Sequence, residues 1–81
     1  MLKKILDIYE EEEILIVDGF NLAVIGIDEY SMRVIYSVKK CIELLIEQGM
    51  DDEEAMEYFT FNVSGSHVGN STPIWCWDTF I

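Results

Sequence analysis

Residues 37–48 show the hydrophobic and polar pattern of an amphipathic α-helix. Apolar side chains recur at the spacing of one helical face, at Val38, Cys41, Ile42, Leu45 and Ile46. Ser37 is a favoured N-cap residue, and Gly49 is the residue type that most often ends a helix in the left-handed conformation. A second helix is predicted directly afterwards, because Asp51 and Glu54 have the spacing of a capping box. The pattern therefore predicts two consecutive helices.

The pattern at the N-terminus changes from helical to strand-like. Residues 2–12 have helical spacing and predict a short N-terminal helix. Residues 13–17 and 21–27 are rich in β-branched side chains and predict two strands. The dipeptide between them, Asp18-Gly19, is a strong signal for a tight turn, so a hairpin is expected here.

Two further strands are expected later in the chain. A polar turn at residues 28–31 precedes a strand at residues 32–36, and a loop at residues 64–73 precedes a last strand at residues 74–77. The predicted fold class is α+β: a small antiparallel sheet of three to four strands, packed with two consecutive helices and a short N-terminal helix. A chain of 81 residues corresponds to a single domain, residues 1–81.

The chain carries 16 acidic and 5 basic residues, a formal net charge of −11, although 51% of it is hydrophobic. Disordered chains combine high charge with few apolar residues, so a folded domain with a negative surface is indicated. The charge argues against direct nucleic-acid binding and against an anionic membrane surface, because both need clustered lysine and arginine. A partner protein with a basic surface is the natural complement, and solubility alone is the alternative interpretation.

The remaining composition bears on assembly and location. The hydrophobic residues outnumber what a small core needs, so a homodimer is an alternative to a single copy. Cys41 and Cys76 give no disulfide framework, and no stretch approaches the ~20 apolar residues of a membrane-spanning helix. The N-terminus reaches Asp7 before any signal-like apolar run forms. We therefore expect a cytoplasmic protein with reduced thiols and no membrane association.

Two features of the chain are candidate binding elements, an acidic run and a pair of tryptophans. The residues are Glu10, Glu11, Glu12, Glu13, Trp75 and Trp77. Helix capping accounts for the other dense acidic cluster, residues 51–54, whereas nothing local explains the four glutamates. The tryptophans stand two apart and face the same side of a strand. They either complete the core or form a binding face with Phe80, since tryptophan is common in such faces.

No catalytic, metal-ligating or cofactor-binding residue is predicted, and we expect no enzyme. His67 is the only histidine, and it does not follow a Gly-x-Ser-x-Gly elbow. Its loop lacks the lysine of a phosphate-binding loop. A metal set of Cys41, His67 and Cys76 has no recognised spacing. Two alternatives remain: a small hydrolase around His67, and a small-molecule or nucleotide-signal binding protein that uses residues 64–73.

A run in the C-terminal half resembles a group of small acidic proteins that are common in bacteriophage genomes and their bacterial hosts. The matching residues are Gly49-Met50, Glu54-Ala55, Glu57-Tyr58-Phe59, Phe61-Asn62-Val63, Gly65, Val68-Gly69 and Thr72-Pro73-Ile74. The resemblance covers roughly two thirds of the chain, since it extends to Asp18-Gly19-Phe20, Ala23-Val24-Ile25-Gly26, and Tyr36 followed by Lys40-Cys41-Ile42-Glu43. The N-terminal helix and residues 75–81 depart from the pattern. The group has no established activity, so the resemblance supplies no catalytic residues. It implies a phage origin, and from that we expect a non-enzymatic accessory protein that binds a host protein inside the host cell, an inhibitor of antiviral defence being one such role.

Overall fold

The computed structural model describes residues 1–65, 69 and 71–80. In chain order the elements are helix α1 (Leu2–Ile8), a 3₁₀ turn (Asn21–Ala23), strands β1 (Val24–Asp28) and β2 (Arg33–Ser37), helices α2 (Val38–Glu47) and α3 (Asp52–Tyr58), a π-helical turn (Phe59–Ser64) and strand β3 (Ile74–Cys76). The α+β class and the short N-terminal helix are confirmed. Within the described residues, no helix has the length and apolar character needed to cross a membrane.

The three strands form one mixed sheet in the order β1-β2-β3. Strands β1 and β2 pair antiparallel, with Asp28 opposite Arg33. Strand β3 pairs parallel to β2, with Ile35 opposite Ile74. The sequence predicted an antiparallel sheet, so the parallel pairing of β2 with β3 corrects that prediction. The parallel direction follows from the stretch of chain that connects these two strands. Both helices lie between β2 and β3, and a long helical crossover is what a parallel pair needs.

The predicted strand at residues 13–17 does not form. Asp18 and Gly19 do make a turn, in which Gly19 has a φ of 91°. The chain then enters the 3₁₀ turn, and Phe20 and Ala23 are buried there. Packing of these two side chains into the core prevails over the local signal for a two-residue hairpin. The hairpin forms later instead, between β1 and β2.

Both consecutive helices begin as predicted, and α2 also ends as predicted. The Ser37 hydroxyl oxygen accepts a hydrogen bond from the Lys40 amide at 3.1 Å. The Asp51 carboxylate accepts one from the Glu54 amide at 2.8 Å. Gly49 has a φ of 109°, which L-residues with a side chain rarely adopt. These local signals confirm both helix starts and the end of α2.

The core lies between the sheet and the two helices. Its most deeply buried apolar side chains are Ala23, Val34, Tyr36, Val38, Cys41, Leu45, Ala55 and Phe59. On the predicted apolar face of α2, Val38, Cys41 and Leu45 are buried. Ile46, the last residue of that face, is 38% exposed. On α3, Ala55 is fully buried, whereas its neighbour Met56 is 37% exposed.

The π-helical turn directly continues α3. It buries Phe59 and Val63 and leaves Phe61 exposed. Gly65 follows, where a Cβ atom would lie 2.9 Å from the carbonyl oxygen of Thr60. Only glycine fits such a backbone approach without a shift. The turn therefore places Val63 and its neighbour Asn62 beside β3, where they border a pocket described below.

Candidate binding surface

Residues 12–18, hereafter the linking segment, run along three surface depressions. The acidic depression, about 430 Å³, is lined by Glu12, Glu13, Ile14, Leu15 and Ser71. The Trp75 pocket, about 310 Å³, lies on the other side of Leu15 and is the most apolar of the three. The N-terminal depression, about 450 Å³, lies against α1 and the 3₁₀ turn. The described residues that line the Trp75 pocket all come from three places: the linking segment, the π-helical turn, and β3 together with Pro73 just before it.

Leu15 and Ile16 join the three depressions into one surface. Leu15 lines both the acidic depression and the Trp75 pocket. Ile16 lines both the Trp75 pocket and the N-terminal depression. Both side chains are more than a third exposed, at 39% and 36%. The glutamates and Trp75, which are some sixty positions apart in the sequence, therefore border one continuous surface.

Tyr36 holds two walls of the Trp75 pocket in place. The Val17 amide donates a hydrogen bond to the Tyr36 hydroxyl oxygen at 2.8 Å. The Tyr36 ring packs on the Trp75 ring with 5.1 Å between centroids. Burial raises the pKa of Tyr36, so this hydroxyl stays neutral at physiological pH. One fully buried side chain thus fixes the linking segment against β3.

Replacing Tyr36 with phenylalanine should lower the free energy of unfolding by about 1–3 kcal/mol, because the partly buried Val17 amide loses its acceptor. The ring and its contact with Trp75 remain, so the effect isolates the hydroxyl. Thermal and denaturant unfolding measure the change. Tyr30→Phe is the matched control, since Tyr30 is fully exposed. Equal stability of the two variants would show that the hydroxyl does not hold the linking segment.

Of the six predicted binding residues, three line the depressions and three do not. Glu12 and Glu13 line the acidic depression, and Trp75 lines the pocket next to it. Glu10 and Glu11 are exposed just after α1, outside the lining of the three depressions.

Trp77 is 45% exposed, and its ring lies 5.9 Å from that of Phe59. Trp75 also packs on Phe59, with 5.3 Å between centroids. Both tryptophans thus contact the core, and Trp75 borders the surface as well. Phe80 is 89% exposed, beyond the lining of the depressions described above.

Sequence reasoning missed Leu15 and Ile16 as surface residues, because it placed them in a strand. The sequence does contain a signal for them, because an apolar run directly follows the acidic run. It also missed a further depression of about 320 Å³ along α3 and the π-helical turn. This depression combines Glu54 and Glu57 with the exposed ring of Phe61, and Asn62 lines both it and the Trp75 pocket.

The two cysteines differ in burial. Cys41 is buried, and burial raises the pKa of its thiol to about 12. It is therefore a neutral core side chain at physiological pH, unsuited to nucleophilic attack. Cys76 is half-buried and forms no disulfide. Among residues 1–65, 69 and 71–80, no three histidine, cysteine, aspartate or glutamate side chains come together as a metal site. His67 lies outside the described residues.

The loop at residues 64–73 contributes to the surface through the residues described in it. Ser71 lines the acidic depression and Pro73 lines the Trp75 pocket. Thr72 donates to the carbonyl oxygen of Gly69 at 2.7 Å, and its own carbonyl oxygen accepts from Arg33 at 3.3 Å. The first bond lies within the loop, and the second attaches the end of the loop to β2.

The comparisons with known proteins leave the resemblance to phage proteins as a prediction. No family model, no curated protein and no solved structure matches the chain. The candidate function therefore depends on the geometry and chemistry of the surface around the linking segment.

Proposed function

We propose that the protein is a non-enzymatic binding protein, which recognises another protein that has a basic surface. The observation that carries the proposal is the position of Leu15 between the acidic depression and the Trp75 pocket. Charge and apolar area then act on the same partner. An exposed charged face alone serves solubility, whereas an acidic rim beside an apolar pocket also supplies contact energy.

The electrostatics of this surface favour a cationic partner. The charged side chains that line the three depressions are Asp7, Glu12, Glu13 and Asp18 against Lys3. The whole chain carries −11 as well, so long-range attraction speeds the encounter with a basic partner. It also repels phosphate backbones, which argues against nucleic acid as the partner.

A nucleotide signal is less well supported than a protein partner. The residues described around the Trp75 pocket include Asp18 and no lysine or arginine. A phosphate group there would meet a like charge without a compensating cation. The pocket volume also lies at the lower limit for ligand sites, which is about 300 Å³.

The biological role follows from the resemblance stated above. A phage accessory protein of this kind would bind a host protein in the host cytoplasm. Binding at a basic, nucleic-acid-binding surface would block that surface, which is how such a protein would inhibit an antiviral defence. The role rests on that resemblance, and the cytoplasmic location rests as well on the lack of a disulfide framework in the sequence.

Selection of peptides from a random display library tests the proposal without knowledge of the natural partner. We expect enrichment of peptides that combine lysine or arginine with a large apolar residue. The double variant Glu12→Gln/Glu13→Gln should bind them about two- to thirtyfold more weakly, because each exposed ion pair contributes about 0.2–1 kcal/mol. Titration of the enriched peptides measures the affinity.

The variant Glu43→Gln/Glu47→Gln is the matched control, because it removes the same charge from exposed positions on α2. Its affinity should change less than that of the first variant. If both double variants lost the same amount of affinity, the net charge of the protein alone would explain the effect. An affinity that does not fall when the salt concentration is raised would contradict the electrostatic proposal altogether.

A further inference from the structure

We infer that the Trp75 pocket is an anchor site for one large aliphatic side chain of the partner, which lies between basic residues in a short linear segment. The inference rests on the proposed function and adds the recognition element. It names what fills the pocket, which the acidic rim alone does not determine.

The size and lining of the pocket favour a single side chain. It encloses about 310 Å³ between Leu15 and Ile16 on one side and Val63, Pro73 and Trp75 on the other. Small-molecule sites begin at about this volume. Binding energy at protein interfaces concentrates where one side chain fills a desolvated pocket walled by aromatic residues. An aliphatic side chain suits this lining, which is mostly apolar.

The charges around the pocket determine what flanks the anchor. Asp18 lines the pocket itself, and Glu12 and Glu13 lie in the depression that shares Leu15 with it. Lysine or arginine on both sides of the anchor would meet these acids. A second copy of the chain is a poorer occupant, since it carries the same acids and the same net charge of −11.

The indole of Trp75 supplies a further indication that the site is not built for stability alone. Its Nε1 atom is buried and has no hydrogen-bond partner among the described residues. A phenylalanine there would leave no such donor. Unsatisfied buried donors are uncommon in folded proteins and call for a specific explanation. A large aromatic wall for the pocket is that explanation here, because tryptophan offers the greatest contact area.

The test uses acetylated and amidated pentapeptides without tryptophan, so that the protein's own tryptophan fluorescence reports binding. The probes are Lys-Lys-Leu-Lys-Lys, the same peptide with alanine in place of leucine, and Gln-Gln-Leu-Gln-Gln. We expect the leucine peptide to bind about tenfold more tightly than the alanine peptide. Leu15→Ala should remove this preference. Leu22→Ala should keep it, because Leu22 is 80% exposed and lines only the N-terminal depression.

The outcomes separate the anchor from the charge. Equal affinity for leucine and alanine peptides, with binding still weakened by salt, overturns the anchor site and leaves the proposed function standing. If the alanine peptide binds more weakly but the lysine and glutamine leucine peptides bind equally, the apolar anchor stands, while both the basic flanks inferred here and the electrostatic proposal are overturned. If the leucine peptide does not bind at millimolar concentration, the anchor site is wrong. It is equally wrong if sedimentation finds a dimer that Leu15→Ala dissociates, since a second copy then fills the pocket.

Discussion

Replacing Phe59 with alanine is expected to lower the free energy of unfolding by about 3–5 kcal/mol, the usual cost of removing a buried phenylalanine. Phe59 is fully buried, and its ring packs on both tryptophans. The distance between ring centroids is 5.3 Å to Trp75 and 5.9 Å to Trp77. A domain of this length has a total stability of about 4–12 kcal/mol. The variant should therefore lose a large part of its stability, with a fall in Tm of at least about 12 °C.

Two measurements follow this variant. Far-UV circular dichroism against temperature gives the Tm. Tryptophan emission should shift to longer wavelength, because both indoles lose their packed neighbour and meet more water. Phe61→Ala is the matched control: it lies two positions later in the same π-helical turn and is 78% exposed. Its stability should stay within about 0.5 kcal/mol of the parent protein. Equal losses in the two variants would contradict the burial assigned to this turn.

The helices could be predicted from the sequence because their signals are local. The side chain of Ser37 reaches an amide three residues further along, and so does that of Asp51. Gly49 needs only its own backbone conformation. Hydrogen bonds of this kind depend on neighbours in the chain, so the residue types and their spacing carry the information.

The sheet was harder to predict, because strand pairing depends on distant residues. The β-branched run at residues 13–17 has high strand propensity but finds no strand partner. Its long-range hydrogen bond among the described residues runs from the Val17 amide to the side chain of Tyr36 instead. The parallel direction of β3 follows from the path of the chain through α2 and α3. Neither fact is present in the local pattern.

The candidate surface shows the same division. Glu12, Glu13 and Trp75 could be selected from the sequence by residue type. Their meeting on one surface could not, because it depends on Leu15 and on the contact of Tyr36 with both Val17 and Trp75. Trp77 was selected by the same reasoning, yet it packs on Phe59 outside the lining of the three depressions. Residue type predicts candidates, and long-range packing decides which of them act together.

Strand β3 is only three residues long, and the residues after it hold it to the start of α2. The Ser37 hydroxyl donates to one oxygen of Asp78 at 2.5 Å, and the Lys39 amide donates to the other at 2.9 Å. Ser37 also accepts from the Lys40 amide. Two consecutive amides at the start of α2, which have no partner within the helix, are thereby satisfied. The same bonds anchor the chain that positions Trp75.

Replacing Ser37 with alanine should therefore lower the free energy of unfolding by about 1–3 kcal/mol. The estimate combines a lost N-cap with a lost hydrogen bond to a carboxylate. Asp78→Asn should also destabilise, and the double variant should lose less than the sum of the two, because both changes break the same bond. Urea unfolding of the four proteins measures this coupling. Thr79→Ala, an exposed neighbour in the tail, is the control and should be neutral.

The pH dependence gives an independent check on the same bond. The hydrogen bond from Ser37 and then that from the Lys39 amide lower the pKa of Asp78 below its ordinary value of 3.8. A carboxyl whose pKa is lowered by folding adds stability above its unfolded pKa, and this stability is lost as the pH falls through the folded pKa. The stability difference between the parent protein and Asp78→Asn should thus be constant from about pH 5 upwards and shrink below about pH 4. If the difference stayed constant down to pH 2, or if Ser37→Ala and Asp78→Asn were strictly additive, Asp78 would not act as the charged cap that joins β3 to α2.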